Sequence, residues 1–192
     1  MSASPGMPAP GPVDEAAGPM PTTDPAERTA EALALRRAIR RTLGRSLHVR
    51  HLDAGSCNGC DWEIAALLNP YYDIQRLGID FVASPRHADL LLVTGIMTRN
   101  LEDAALRTYE AMPEPRLVVA VGACAISGGV FAGSYAGRDG IDEVLPVDVF
   151  VPGCPPRPEA LIHGLLVAVG RMAPFDNTAL TPGSGPRDMP SR

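Results

Sequence analysis

The chain has 192 residues, a mass of 20.2 kDa, a formal net charge of −5 and an apolar fraction of 45%. That length gives about one domain, and that apolar fraction allows a packed core, which excludes collagen, a coiled coil and a wholly disordered chain. The charge gives no basic excess for nucleic acid, and the 17 basic residues are all arginine, which excludes a Walker A phosphate loop and a Schiff-base mechanism.

Seven of the 20 prolines fall within residues 1–25 and four within 174–192, so 1–25 and 173–192 are expected to be flexible tails. Residues 26–45 read as a basic amphipathic helix. Leu35, Ile39 and Leu43 recur every four positions, with Arg36, Arg37, Arg40 and Arg41 between them, Pro25 at the start and Gly44 at the end. Such a helix packs its stripe on its own domain, or lies on a partner subunit or an anionic membrane surface.

Residues 46–172 form the expected domain. A strand is predicted over 47–52, a helix over 61–68 stopped by Asn69-Pro70, and strands over 79–83 and 88–94. A helix over 101–112, strands over 116–121 and 147–151, and a closing helix over 157–172 follow. Continuous Val/Leu strands alternating with helices predict an α/β fold. The class is flavodoxin-like and doubly wound, with a mainly parallel sheet and helices on both faces. No run of 18 apolar residues occurs, so no transmembrane helix is expected, and no basic-then-apolar start suggests a Sec-type signal.

The four cysteines fall in an informative place. Cys57 and Cys60 follow the first strand, Cys124 follows the strand ending at Gly122, and Cys154 follows the last strand. All four lie past carboxyl ends of strands, the edge where open parallel sheets bind ligands. Gly55, Gly59, Gly122 and Gly153 accompany them, which lets backbone approach a bulky inorganic ligand. Four thiolates at one edge suit a 4Fe–4S cluster or a structural zinc. A zinc-stabilised binding module with no redox role is one reading, and redox-active thiols of the Cys-x-x-Cys kind another. The four histidines show no ligand spacing.

Three motifs in order carry a resemblance: Gly55-Ser-Cys-Asn-Gly-Cys-Asp-Trp-Glu63, Gly122-Ala-Cys-Ala-Ile-Ser-Gly-Gly129 and Pro152-Gly-Cys-Pro-Pro-Arg-Pro-Glu159. Over about residues 45–172 the sequence resembles the 20 kDa (B-type) subunit of respiratory complex I. It equally resembles the small subunit of complex-I-related, membrane-bound nickel–iron hydrogenases of the formate hydrogenlyase type. The resemblance implies one 4Fe–4S cluster, held by Cys57, Cys60, Cys124 and Cys154, as the last relay before a large catalytic subunit. Complex I subunits have two adjacent cysteines at the first motif. The spacing Cys57-Asn58-Gly59-Cys60 is the hydrogenase type and favours that branch. The implied role is an electron-transfer subunit of an oxidoreductase, without a complete active site of its own. The implied partners are the large catalytic subunit, a ferredoxin-like iron–sulfur subunit and membrane-arm subunits. The implied place is peripheral, on the cytoplasmic side of the plasma membrane. A complex I type NADH–quinone oxidoreductase subunit bordering the quinone site is the alternative.

Four further residues are expected near the cluster or a partner interface. Glu63 complements a helix dipole or, as the resemblance implies, lies beside the cluster where an acid assists proton movement. Arg86 is a solvated charge or an interface residue, and Met97 is packing or, as in complex I relatives, borders the quinone pocket. Arg157, beside Cys154, is placed to offset the negative charge of a thiolate-ligated cluster.

Overall fold

The computed structural model describes residues 25–172, with side chains from residue 30 onward. The two expected tails lie outside the described residues, except for Pro25, which opens the first helix. Five strands form one sheet: β1 (Leu47–Asp53), β2 (Ile79–Phe81), β3 (Leu90–Thr94), β4 (Leu117–Val121) and β5 (Val149–Val151). Their order is β2-β1-β3-β4-β5 and every neighbouring pair is parallel. This is the flavodoxin-like doubly wound order, with its switch point between β1 and β3. The helices are α1 (Pro25–Leu43), α2 (Gly59–Ala66), α3 (Glu102–Glu110), α4 (Ala123–Ser127) and α5 (Pro158–Arg171).

Every residue of β3 and β4 is buried, as expected of strands covered on both sides. Their side chains alternate between two cores. Leu90, Leu92 and Val119 face a core shared with Leu35 and Ile39 of α1, Ile64 of α2, and Leu161 and Leu165 of α5. Leu91, Val93, Val118 and Ala120 face a second core with Ala105 of α3, Ala125 of α4, Ile141 and Leu145.

The first helix therefore shares a core with the body rather than standing apart from it. Leu35 and Ile39 are fully buried and Leu43 packs against the same cluster. Of the two readings of its stripe, packing on its own domain is the one observed. Gly44 ends the helix at φ +65°, with its N–H on the Arg40 carbonyl at 3.2 Å.

The last strand begins two residues later than its apolar run suggests. There the Asp148 carboxylate accepts from the Val118 N–H at 2.8 Å, taking the place of a ladder bond. The five-residue α4 is too short to show a helical period and is not visible in the sequence.

At the amino edge of the sheet, Arg45 forms a two-pronged pair with the nearly buried Asp89, at 2.8 and 2.6 Å, and the His48 N–H adds a third bond at 3.0 Å. This clamp ties the α1–β1 junction to the start of β3. Arg86 also lies at this edge, exposed, on the 3-10 turn Pro85–His87 that precedes β3.

Candidate metal centre

The cysteines arrive on three segments at the carboxyl edge. β1 ends in Asp53, whose Oδ1 accepts the N–H groups of Gly55 at 2.8 Å and Ser56 at 2.7 Å and folds the chain into a tight turn. Asn58 follows in the left-handed region at φ +67° and caps α2, which starts at Gly59 rather than at the expected 61. Cys60 consequently sits inside the first helical turn. The other two segments are joined: the Gly122 N–H donates to the Val151 carbonyl at 2.9 Å and the Ala123 N–H to the Gly153 carbonyl at 2.8 Å. Cys124 lies in α4, and Cys154 in the loop that leads to Arg157, the N-cap of α5.

The segments meet at van der Waals distance because glycine stands at the contacts. A Cβ on Gly122 would lie 2.6 Å from Cys60 Sγ, so that sulfur occupies the space a side chain would fill. A Cβ on Gly95, after β3, would lie 2.6 Å from backbone atoms of Gly55 and Ser56, which locks the first-cysteine turn onto the β3 turn.

Cys57 and Cys154 are exposed and Cys60 and Cys124 half-buried, all as free thiols. Burial pushes the Cys60 thiol up to about 12, and the negative charges of Asp61, Cys124, Cys57 and Cys154 push in the same direction. Cys124 is raised too, first by burial and then by Cys154 and Cys57, against backbone N–H groups of Val130 and Cys124 itself that face its sulfur. Four thiols thus feel one another across this edge. Cys60 and Cys124 therefore resist ionisation. A metal centre that binds thiolates supplies the missing positive charge. Among the described residues, no three His, Cys, Asp or Glu side chains close on one point as ligands of a single metal ion. The half-buried Cys60 thiol is therefore seldom ionised at neutral pH. Mass-resolved alkylation should modify exposed Cys57 and Cys154 well before Cys60, and equal rates would contradict this burial.

The sequence did not expose the polar network beneath the first turn. Thr94, fully buried at the end of β3, donates to Asp61 Oδ1 at 2.9 Å, and Ser56 Oγ donates to Asp61 Oδ2. His51 Nε2 lies 3.0 Å from Asp61 Oδ1 and 3.1 Å from Thr94 Oγ1. The parallel register that sets Asp53 beside Thr94 brings these residues together, and no local spacing announces it. The His51 pKa is lowered, first by burial and also by Arg50, although Asp61 and Asp53 oppose the change. The folded protein thus prefers the neutral imidazole. Its contribution to stability is complete above the ordinary histidine pKa of about 6.5 and is lost as pH falls from there towards the lowered value. Urea unfolding compared at about pH 8 and about pH 5.5 should show a loss that His51→Gln reduces.

The other expected residues separate. Arg157 is exposed at the cysteine edge, three positions after Cys154. Glu63 is half-buried on α2, with no ion pair among the described residues. Met97 is fully buried in the second core at φ +54°.

A family model described as the 20 kDa subunit of NADH ubiquinone oxidoreductase matches residues 57–168, a span that holds all four cysteines. The chain belongs to this family. A probable membrane-bound hydrogenase subunit of Pyrococcus furiosus is 48% identical over 143 residues, covering 74% of this chain and 86% of that protein. Formate hydrogenlyase subunit 7 of Escherichia coli is 42% identical over 161 residues, covering 83% of this chain and 61% of that protein. Among solved structures, a chain of an archaeal membrane-bound sulfane sulfur reductase superposes with a TM-score of 0.60 at 34% identity, over 73% of this chain and 75% of that one. These relatives are subunits of oxidoreductases, and the superposed chain shares the α/β fold described above.

Proposed function

We propose that this chain is an electron-transfer subunit of a membrane-bound hydrogenase complex of the formate hydrogenlyase type. In this reading Cys57, Cys60, Cys124 and Cys154 hold one 4Fe–4S cluster. The observation that carries the reading is the convergence of four cysteines from three segments at one sheet edge, with Cys60 Sγ in the space left by Gly122. When bound, such a cluster supplies one-electron transfer. The chain's own part is to hold and tune it. The Val130 and Cys124 N–H groups face one sulfur, and Arg157 brings a positive charge to the edge.

The rim suits a large partner subunit. Trp62 is 74% exposed on α2, and Val130 and Tyr135, in the loop after Cys124, are 81% and 92% exposed. Aromatic and apolar side chains around a redox centre exclude water from a contact across which electrons pass. Electrons would come from a ferredoxin-like subunit, and membrane-arm subunits would hold the assembly on the cytoplasmic side of the membrane. The Cys-x-x-Cys spacing and the similarity to hydrogenase subunits favour this branch over a quinone-reducing one.

Iron and acid-labile sulfide analysis of the anaerobically purified chain tests the reading. A brown protein with about four irons and four sulfides per chain is expected. A colourless protein with stoichiometric zinc would overturn it.

A further inference from the structure

The core-facing side of α1 is fixed by Leu35 and Ile39, with Ala32, Ala38 and Leu43 beside them. At 100° per residue, Arg37, Arg40 and Arg41 then fall on the opposite side, where all three are exposed, together with Leu33 at 41% exposure. Arg36 stands on the flank. Elsewhere five arginines meet carboxylates, Arg45 with Asp89, Arg76 with Asp73, Arg107 with Asp103, Arg116 with Glu114 and Arg138 with Glu102, while Arg99 and Arg171 donate to backbone carbonyls. Among the described residues no carboxylate pairs with Arg36, Arg37, Arg40 or Arg41. Four guanidinium groups within six positions are therefore left unbalanced, on a chain whose net charge is −5.

We propose that this outward face of α1 docks on the anionic phosphate headgroups of a lipid bilayer. The planar guanidinium fork matches phosphate oxygens, and a headgroup layer offers them at every register. A specific protein partner would be expected to find an aromatic anchor on the arginine face, and α1 itself carries no aromatic residue; the exposed Tyr71 lies to one side, in the groove it lines with Leu33 and Arg36. The contact is electrostatic only. The apolar stripe is spent inside the domain, so the helix lies on the surface and does not insert. No helix among the described residues is long and apolar enough to cross a membrane, so any lipid contact through this helix is peripheral.

The Arg45–Asp89 clamp holds the arginine-rich end of α1 against the amino edge of the sheet. The seven residues of β1 span about 23 Å from that edge to the cysteine edge. A bilayer under α1 thus leaves the cysteine edge and its apolar rim free for a partner. This inference goes beyond the proposed redox role and does not depend on the cluster.

Sedimentation of the full chain with vesicles tests it. The chain should pellet with phosphatidylglycerol-containing vesicles at low salt, stay in solution with pure phosphatidylcholine, and be released by high salt. The triple variant Arg37→Gln, Arg40→Gln, Arg41→Gln should bind on the order of a hundredfold more weakly. Its thermal unfolding should be unchanged, because the three side chains are exposed and form no hydrogen bond or ion pair among the described residues. Arg107→Gln, on the other face of the sheet, should bind as the parent does, and so should the chain lacking residues 1–24. Binding that ignores lipid charge, or that survives the triple substitution, overturns the proposal. So does a triple variant that binds vesicles normally yet fails to join its complex, which would make the occupant an acidic protein surface.

Discussion

Replacing Cys124 or Cys154 with alanine is expected to abolish the electron paramagnetic resonance signal of the reduced protein, in each variant separately. The four thiols reach the site on three segments, one after β1, one after β4 and one after β5. Removing one leaves an iron corner without its thiolate, and no spare cysteine exists in the chain to replace it. Neither loss should unfold the domain. Cys154 is exposed, Cys124 half-buried, and neither belongs to the two cores. Far-ultraviolet circular dichroism should therefore match the parent while the signal disappears. A signal unaltered in either variant would sink the assignment of that residue as a ligand.

Gly122→Ala should have nearly as large an effect without touching a ligand. The added Cβ would stand 2.6 Å from Cys60 Sγ, well inside contact distance. Gly122 also has φ +88°, where an L side chain is strained. Cys60 cannot retreat easily, because it sits in the first turn of α2 and the adjoining Asp61 is bonded to Thr94 and Ser56. The sulfur must turn away from its three companions. The expected result is a folded protein, destabilised by about 1–3 kcal/mol, with little bound iron. Near-parental iron content would show that the four sulfurs do not need the position they hold here. Gly44→Ala is the control: it is also at positive φ but has open space around it, and should keep its iron.

The sheet was legible because its central strands need no tertiary context. The runs Leu90–Thr94 and Leu117–Val121 are apolar throughout, and only a strand buried on both faces uses such a run between glycine-rich turns. The placement of the cysteines past strand ends followed from the same reading. The direction of packing was not legible. The periodicity of Leu35 and Ile39 is the same whether the stripe meets its own sheet or a partner, and the contact with α5 decides it. Asp61 read as the residue after a cysteine. Its bonds to His51 and Thr94 depend on the pairing of β1 with β3, and parallel pairing joins residues some 40 positions apart in the chain.

The strand order has a consequence for how the chain tolerates changes of length. Sulfurs come from the segments after β1, β4 and β5, yet β3 lies between β1 and β4. The segment after β3 contributes no thiol and must pass beneath those that do. It manages this by turning at once: Gly95 touches the backbone of Gly55, Met97 dives into the core, and Thr98 N–H closes on the Ala54 carbonyl at 2.8 Å. A single residue inserted between Gly95 and Thr98 would have nowhere to go but upward, between the first-cysteine turn and α4. The Tyr135 side chain is exposed, yet its loop is fastened to the same segment: Arg99 N–H donates to the Ala136 carbonyl at 3.0 Å and Arg138 N–H to the Met97 carbonyl at 3.0 Å. Insertions and deletions across related chains should therefore avoid the four positions after β3, although those positions hold no cysteine.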